Sequence, residues 1–272
     1  MKKYGNYLFI ILAILIIVLL FKITTYLLKT NFSPEKTKIF YINLDKNVKR
    51  DVAIIKSYGA SDIKSIPIKR FPAIAGKDVD MEHWLTPEAL IEYKDTEKTK
   101  TRTHHYQLTT GAVGCFLSHY TLAKQLTEDP TTNYYLIFED DIIFSKDLLK
   151  QLKNYLYIAP SDWDMIELYT HRKTRCKVVG QFYKPKGFWG TQGYIINKKG
   201  AKKFVKEVEK SKIDGQIDAY LSRMNQEGKI NLYITKEKLV FLSENSNTTD
   251  IQCRLVKKKP TDNPFLYKGF LV

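Results

Sequence analysis

Residues 134–144 read YYLIFEDDIIF, with three consecutive acids, Glu139, Asp140 and Asp141, inside an apolar, aromatic and β-branched run. A carboxylate withdrawn from water costs several kcal/mol unless something pairs with it. Carboxylates this close together also raise one another's pKa unless a cation compensates. A hard divalent ion, Mg²⁺ or Mn²⁺, does so through oxygen ligands and keeps positions open for water or a substrate phosphate. The run therefore points to a site for a metal and a diphosphate. The plainer alternative is that the acids cap the turn and helix that begin near Ser145 and Lys146.

The elements that must position these acids follow from periodicity. Residues 134–138 read as a strand, and in open α/β sheets ligands bind beyond the carboxyl ends of the strands, where this one would deliver Glu139 to Asp141. Upstream, IFYINL at 39–44 has the length and residue types of a buried strand. A helix follows, with Val48, Val52, Ile55 and Tyr58 at helical spacing and Gly59 as its stop. Residues 66–74, interrupted by Pro67 and Pro72, suit an edge strand or a loop. Residues 94–105, KDTEKTKTRTHH, lack periodicity and read as a mobile basic surface loop. GAVGCFLSHYTLAKQL at 111–126 places one apolar face along a helix. Helices over 146–156, 200–208 and about 216–227, with short strands at 165–168 and 194–196, continue the alternation. No internal repeat is present. This pattern predicts an α/β fold, a mainly parallel sheet flanked by helices.

The 272 residues are 44% hydrophobic and 13% aromatic, ample for a packed core. The formal charge of +15 comes from lysines scattered along the chain, which favours solubility and attraction to anionic lipid or phosphate. No nucleic-acid-binding signature accompanies it, so no nucleic-acid partner is expected. Cys115, Cys176 and Cys253 lack metal-ligand spacing. Either one bridge, Cys176 with Cys253, forms in an oxidising lumen, or all three are reduced.

LFIILAILIIVLLF at 8–21 continues past Lys22, so that Leu8 to Leu28 has the length of a membrane span, without the small-residue cleavage site of a signal peptide. The expected organisation is an anchor at 1–29, a stem at 30–37 and one domain at 38–272, in a single-pass membrane protein. Lysines flank both ends of the span, so charge does not settle the orientation; type II is the one adopted. In that orientation Asn31-Phe-Ser and Asn247-Thr-Thr become glycosylation acceptors.

Six short pieces stand in the order found in glycosyltransferase family 25, which the chain resembles. They are Tyr41-Ile-Asn-Leu-Asp with Arg50, Phe71-Pro-Ala-Ile-Ala-Gly, Gly114-Cys-Phe-Leu-Ser-His, Phe138-Glu-Asp-Asp, Gly190-Thr-Gln-Gly-Tyr with Gly200-Ala, and Ile217-Asp. The resemblance implies a GT-A-like (Rossmann-like) fold, a UDP-sugar donor, Mn²⁺ or Mg²⁺, and inversion at the anomeric carbon. It implies that a hexose, galactose in the first instance, is transferred to a glycan or glycoprotein. Glu139 and Asp141 would alternate toward the metal, with Asp140 turned toward ribose or backbone.

Inversion needs a base. Asp218 is the residue implied, although an acid in the first turn also suits the helix dipole, and Asp214 competes for the role. Asn43, Asp45 and Arg50 would touch the nucleotide, or form a polar turn and a solvated helix face. His119 would hydrogen-bond near the donor. Adjacent helical residues point about 100° apart, so Ser118 and His119 cannot pair as nucleophile and base. Gly190 and Thr191 would let backbone approach the sugar. Trp189 and Phe188 would stack on an acceptor ring or lie in the core, and Lys257 to Lys259 would touch anionic lipid or water. The reading from another class is a catalytically inactive, membrane-tethered basic module that binds a glycan or polyanion.

Overall fold

In the computed structural model, which describes residues 11–20, 36–247 and 254–255, the run TKIFYIN forms strand β1 (Thr37–Asn43). Helix α1 (Val48–Gly59) follows, and then the parallel edge strand β2 (Ile68–Pro72). Pro72, which cannot donate to a ladder, closes that edge strand. Helix α2 (Pro87–Thr99) and the long helix α3 (Thr110–Glu128) lead to β3 (Tyr134–Glu139). Next come β4 (Ile142–Phe144), helix α4 (Leu148–Tyr157) and β5 (Met165–Glu167). The short strands β6 (Arg172–Thr174), β7 (Lys177–Val179), β8 (Phe182–Lys184) and β9 (Gly187–Trp189) precede β10 (Gly193–Asn197). Helices α5 (Lys198–Ser211) and α6 (Ile217–Gln226), then β11 (Leu232–Thr235) and β12 (Val240–Leu242), complete the order.

The central sheet has the order β2-β1-β3-β10-β5-β11-β8-β7. β1 is parallel to β2 and β3, and β5 to β11, whereas β10 runs antiparallel between β3 and β5. The sheet is thus mixed and mainly parallel, as the alternation predicts. Successive side chains of a strand point to opposite faces, and β3 shows the result. Tyr135 and Ile137 pack in the layer with α3, α5 and α6, while Leu136 and Phe138 pack in the layer with α4.

Helix α3 approaches the 71–76 segment closely because Gly114 has no Cβ. A Cβ there would lie 2.3 Å from the Ile74 carbonyl oxygen and 2.7 Å from the Gly76 nitrogen. One turn on, Ser118 Oγ accepts from Ile74 N at 2.9 Å and donates to the Gly114 carbonyl at 2.8 Å. Ser118 is therefore a tie between helix and loop. Gly114→Ala pushes backbone against backbone, and the expected cost is about 3 kcal/mol of unfolding free energy. Urea denaturation checks this; a midpoint unchanged from the parent would show that the loop yields freely.

One expectation is corrected here. Residues 94–105 are not a loop throughout. Residues 94–99 complete α2, whose start is capped by the Thr86 hydroxyl accepting from Ala89 N at 3.2 Å, with Pro87 in the first turn. Thr96 and Arg102 are buried. On α1, Val48, Val52 and Ile55 are exposed, the first two to 63%, whereas Tyr58 packs against the core and Ile54 is the buried side chain.

Most of the span from Leu8 to Leu28 lies outside the described residues. Residues 11–20 are helical, and among the described residues no helix is long and apolar enough to cross a membrane. Asn31, Cys253 and Lys257 to Lys259 also lie outside the described residues.

Candidate active site

The carboxyl ends of β1 and β3 lie side by side, with Ile42 in register with Glu139. From β1, Asn43 Nδ2 donates to Asp140 Oδ2 at 2.7 Å; from α1, Arg50 Nη1 reaches Asp140 Oδ1 at 2.9 Å. Arg70 on β2 fixes Asn43 in turn, donating from Nε to Asn43 Oδ1 at 2.9 Å. Its Nη2 reaches Asp45 Oδ1 at 2.6 Å, on a side chain 84% exposed at the rim. Burial pushes the Asp140 carboxyl above its ordinary pKa, against the opposing pull of Asn43 and Arg50. Asp140 is thus held by Arg50 and Asn43, where the resemblance implied ribose or backbone. Arg50→Ala leaves a nearly buried carboxylate without its cation, and the expected destabilisation is about 3 kcal/mol. Thermal unfolding at neutral pH tests it: a melting temperature equal to the parent's would mean that Arg50 is dispensable to the frame.

The chain turns after Glu139, so the strand alternation does not carry through to Asp141; Asp140 and Asp141 form the turn into β4. Both Glu139 and Asp141 nonetheless line the same cavity. Glu139 Oε1 accepts from Thr191 Oγ1 at 2.9 Å and lies 3.7 Å from His119 Nε2. Burial raises the Glu139 pKa, but the His119 and Thr191 contacts outweigh it and hold the group below its ordinary value. Asp141 has weaker support, from the Arg50 charge and its own backbone N–H, which does not offset its burial. Its buried Oδ1 lacks a hydrogen-bond partner. Burial first, then the charge of Glu139, pushes it up to about 7.

His119 is fully buried, with Nδ1 2.9 Å from the Tyr194 hydroxyl and the two rings stacked at 5.6 Å. Gly190 and Thr191 act through the carboxylates they hold. Gly190 sits at φ +92, and a Cβ there would lie 2.2 Å from Gln192 Oε1. Its N–H donates to Asp218 Oδ2 at 2.9 Å, and Ala219 N–H donates to Asp218 Oδ1 at 2.7 Å. Burial nonetheless pushes Asp218 up to about 6, with the Glu139 charge adding to the rise. The competing acid, Asp214, is ion-paired with Arg223 and lines neither of two adjoining cavities.

These cavities measure about 970 and about 420 Å³. Asp45, Arg50, Asp140 and Asp141 line the larger; Trp189, Gly190 and Asp218 line the smaller. Cys115, Glu139, His171 and Gln192 line both. Trp189 stacks on Tyr106 at 6.1 Å, whereas Phe188 is fully buried in the core.

Sequence reasoning passed over Cys115, His171, Gln192 and Glu167. The last had a signal: Glu167 interrupts the apolar MIELY as Glu139 to Asp141 interrupt YYLIF. It is 0% exposed, both its carboxyl oxygens lack partners, and burial holds its pKa well above the ordinary value. Across the sheet it is in register with Tyr194. No comparable pattern marks Cys115, His171 or Gln192.

The family model described as Glycosyltransferase family 25 (LPS biosynthesis protein) matches residues 36–221. A glycosyltransferase 25 family member of Anopheles gambiae is 29% identical over 198 residues, 68% of this chain and 31% of the relative. Procollagen galactosyltransferase 2 of Homo sapiens is 29% identical over 187 residues, 63% of this chain and 28% of the relative. Procollagen galactosyltransferase 1-A of Xenopus laevis is 33% identical over 156 residues, covering 52% and 24%. The chain spans less than a third of the length of these relatives. A crystal structure of a point mutant of the Drosophila β1,4-galactosyltransferase 7, in complex with manganese, UDP-Gal and xylobiose, aligns at a TM-score of 0.38 and 9% identity. The alignment covers 86% of this chain and 80% of that one, a likeness too slight to carry an argument.

Proposed function

The chain belongs to glycosyltransferase family 25, and we propose that it transfers a hexose, galactose in the first instance, from a UDP-sugar to a hydroxyl of a glycan or glycoprotein, with inversion. The observation that carries the reading is the division of carboxylates between two joined cavities. Glu139 and Asp141 stand on the larger, Asp218 on the smaller, and Glu139 is part of the shared wall. The relatives named as galactosyltransferases support the choice of sugar.

A divalent cation fits the residues present, because Asp141 keeps a buried oxygen without a partner beside the carboxyl of Glu139. Those two would hold Mn²⁺ or Mg²⁺, which when bound offsets the negative charge that grows on the departing UDP. The larger cavity is within the usual size of small-molecule sites and receives the nucleotide diphosphate, framed by Arg50 and Asp140. Asp218, in the smaller cavity, takes the proton of the acceptor hydroxyl as that oxygen bonds to the anomeric carbon. The bond to UDP breaks at the same time, and its electron pair leaves with the diphosphate. Trp189, backed by Tyr106, offers a flat apolar face for the acceptor sugar ring. In this reading a single-pass anchor through Leu8 to Leu28 tethers the domain at a membrane in type II orientation.

The test is release of UDP. Purified full chain in detergent, supplied with Mn²⁺ and UDP-galactose, is expected to release UDP, faster with an acceptor glycan present. If no UDP-sugar is cleaved and UDP does not bind in the presence of Mn²⁺, the enzyme reading fails in favour of an inactive binding module.

A further inference from the structure

Cys115 and His119 lie one turn apart on α3, the spacing that puts two side chains on the same helix face. Glu139 comes to that face from the end of β3. One ligand atom from each, the Cys115 sulfur, a His119 ring nitrogen and a Glu139 carboxyl oxygen, fall within 4.8 Å of one another. The spacing of the chain does not reveal this trio, because its third member arrives from another element.

Two observations mark the trio as a site instead of a crowding of polar groups. His119 is fully buried, yet its Nε2 has no hydrogen-bond partner and stands 3.7 Å from Glu139 Oε1, beyond hydrogen-bond reach. The other ring nitrogen is already engaged, with Nδ1 2.9 Å from the Tyr194 hydroxyl. Metal-binding histidines are held in this way, the N–H away from the ion donated to an oxygen so that the other nitrogen presents its lone pair. Thr191 does the same for Glu139, donating to Oε1 at 2.9 Å. Cys115 is only partly buried and lines both cavities, which gives an ion a way in.

We infer that Cys115, His119 and Glu139 form a binding site for a thiophilic divalent cation of the Zn²⁺ class, which shares Glu139 with the hard-metal position at Glu139 and Asp141. A sulfur, an imidazole nitrogen and a carboxylate oxygen are the ligand types that Zn²⁺ selects over Mg²⁺ or Mn²⁺. Three protein ligands beside an open cavity leave a fourth position for water. Because Glu139 also faces the larger cavity, Zn²⁺ in this site draws that carboxylate away from the donor. Zn²⁺ therefore inhibits transfer, a consequence that rests on the functional reading above, whereas the binding itself does not.

Cobalt(II) titration of the metal-free full chain in detergent tests the site, since Co²⁺ takes zinc positions and reports a thiolate ligand by a charge-transfer band in the near ultraviolet. One equivalent is expected to bind with that band, and Zn²⁺ to bleach it. Cys115→Ser should remove the band, and Tyr194→Phe should weaken binding about tenfold by freeing the His119 ring. Asp141→Asn should leave the band in place. Absence of the band in the parent, its persistence in Cys115→Ser, or undiminished affinity in His119→Gln would overturn the assignment. So would loss of the band in Asp141→Asn, which would place the ion among the carboxylates. Circular dichroism of each variant separates loss of a ligand from loss of the fold. UDP release is read independently, so failure of the functional reading and failure of this site are distinguishable.

Discussion

Asp218→Asn is expected to lower the rate of transfer about a thousandfold, the middle of the range that a positioned general base contributes, while Mn²⁺-dependent UDP binding persists. The substitution keeps shape and an oxygen that can accept from Gly190 N–H or Ala219 N–H, the two donors that fix the carboxyl now. It removes the ability to take a proton and gives up one of those two backbone hydrogen bonds, because the amide NH2 cannot accept. The pH profile of the parent carries the same information. Burial places the Asp218 carboxyl at about 6, and a base works only when deprotonated, so kcat/KM should rise with pH through about 6 and then level. In Asp218→Asn that acid limb should vanish from the residual rate.

Stability supplies the control. A carboxyl whose folded pKa stands above its unfolded value of about 3.9 contributes stability that is fully present below that value. This contribution is lost as pH rises through the folded pKa near 6. The Asn variant escapes the loss, which offsets the one backbone hydrogen bond it gives up, so at pH 8 it should unfold no more readily than the parent. A slow enzyme that is as stable as the parent cannot owe its slowness to unfolding. Undiminished transfer by Asp218→Asn would remove Asp218 as the base and return Asp214 to consideration, despite its ion pair with Arg223.

Much of the sheet was legible from the sequence because its strands and helices are long enough for their periods to show. TKIFYIN, YYLIFE and GYIIN are strands by residue type, and the long helix Thr110–Glu128 announces itself in the face running from Val113 to Leu126. What periodicity could not decide was which side of a helix meets the sheet. On Val48–Gly59, Val48, Val52, Ile55 and Tyr58 recur at helical spacing, yet the first three are exposed and the helix docks through Ile54, Tyr58, Arg50 and Asp51. Arg50 reaches Asp140, and Asp51 accepts from the Tyr41 hydroxyl at 2.6 Å. The demand of a buried carboxylate for its cation outweighs the burial of two valines, and that demand arises 90 residues away in the chain.

The site was legible in the same partial way. An acid in an apolar run is visible locally, so Glu139, Asp140 and Asp141 stood out. Their division of labour was not visible, since it depends on partners from elements distant in the chain. Asp140 is neutralised by α1 and β1, and Glu139 is steadied by α3 and the turn before β10. Of the three, Asp141 is the one with a buried oxygen that has no hydrogen-bond partner. The helix Pro87–Thr99 was missed for a different reason: its cap, Thr86 followed by Pro87 and Glu88, is a start signal in the sequence, but its apolar content is too sparse to give a period.

That open oxygen makes Asp141→Asn the second decisive substitution, because it moves two measurements in opposite directions. With the divalent cation chelated, the parent at pH 8 carries an ionised carboxylate that burial and the neighbouring charge of Glu139 resist, with a folded pKa of about 7. A folded pKa raised above the unfolded one means that stability present at low pH is lost as pH climbs through about 7. Replacing the acid with a neutral amide lifts that penalty, and the metal-free variant should be more stable than the metal-free parent by on the order of 2–4 kcal/mol at pH 8. The advantage should shrink as pH falls from about 7 and vanish by about 4, below which the parent's carboxyl is protonated in both states.

Mn²⁺ reverses the comparison. The parent binds the ion in its folded form, and saturation about a hundredfold above Kd adds about 2.7 kcal/mol, so its melting temperature rises with added Mn²⁺. The variant has lost a ligand and should show little of this rise. Its Mn²⁺-dependent affinity for UDP should fall at least about a hundredfold, beyond the roughly tenfold to hundredfold typical of residues that only support a metal ligand. Two results would each sink the assignment. If Asp141→Asn keeps Mn²⁺-dependent UDP binding, the ion is held elsewhere. If its metal-free form melts below the parent at pH 8, the carboxylate was stabilised by a protein partner and was not waiting for a cation.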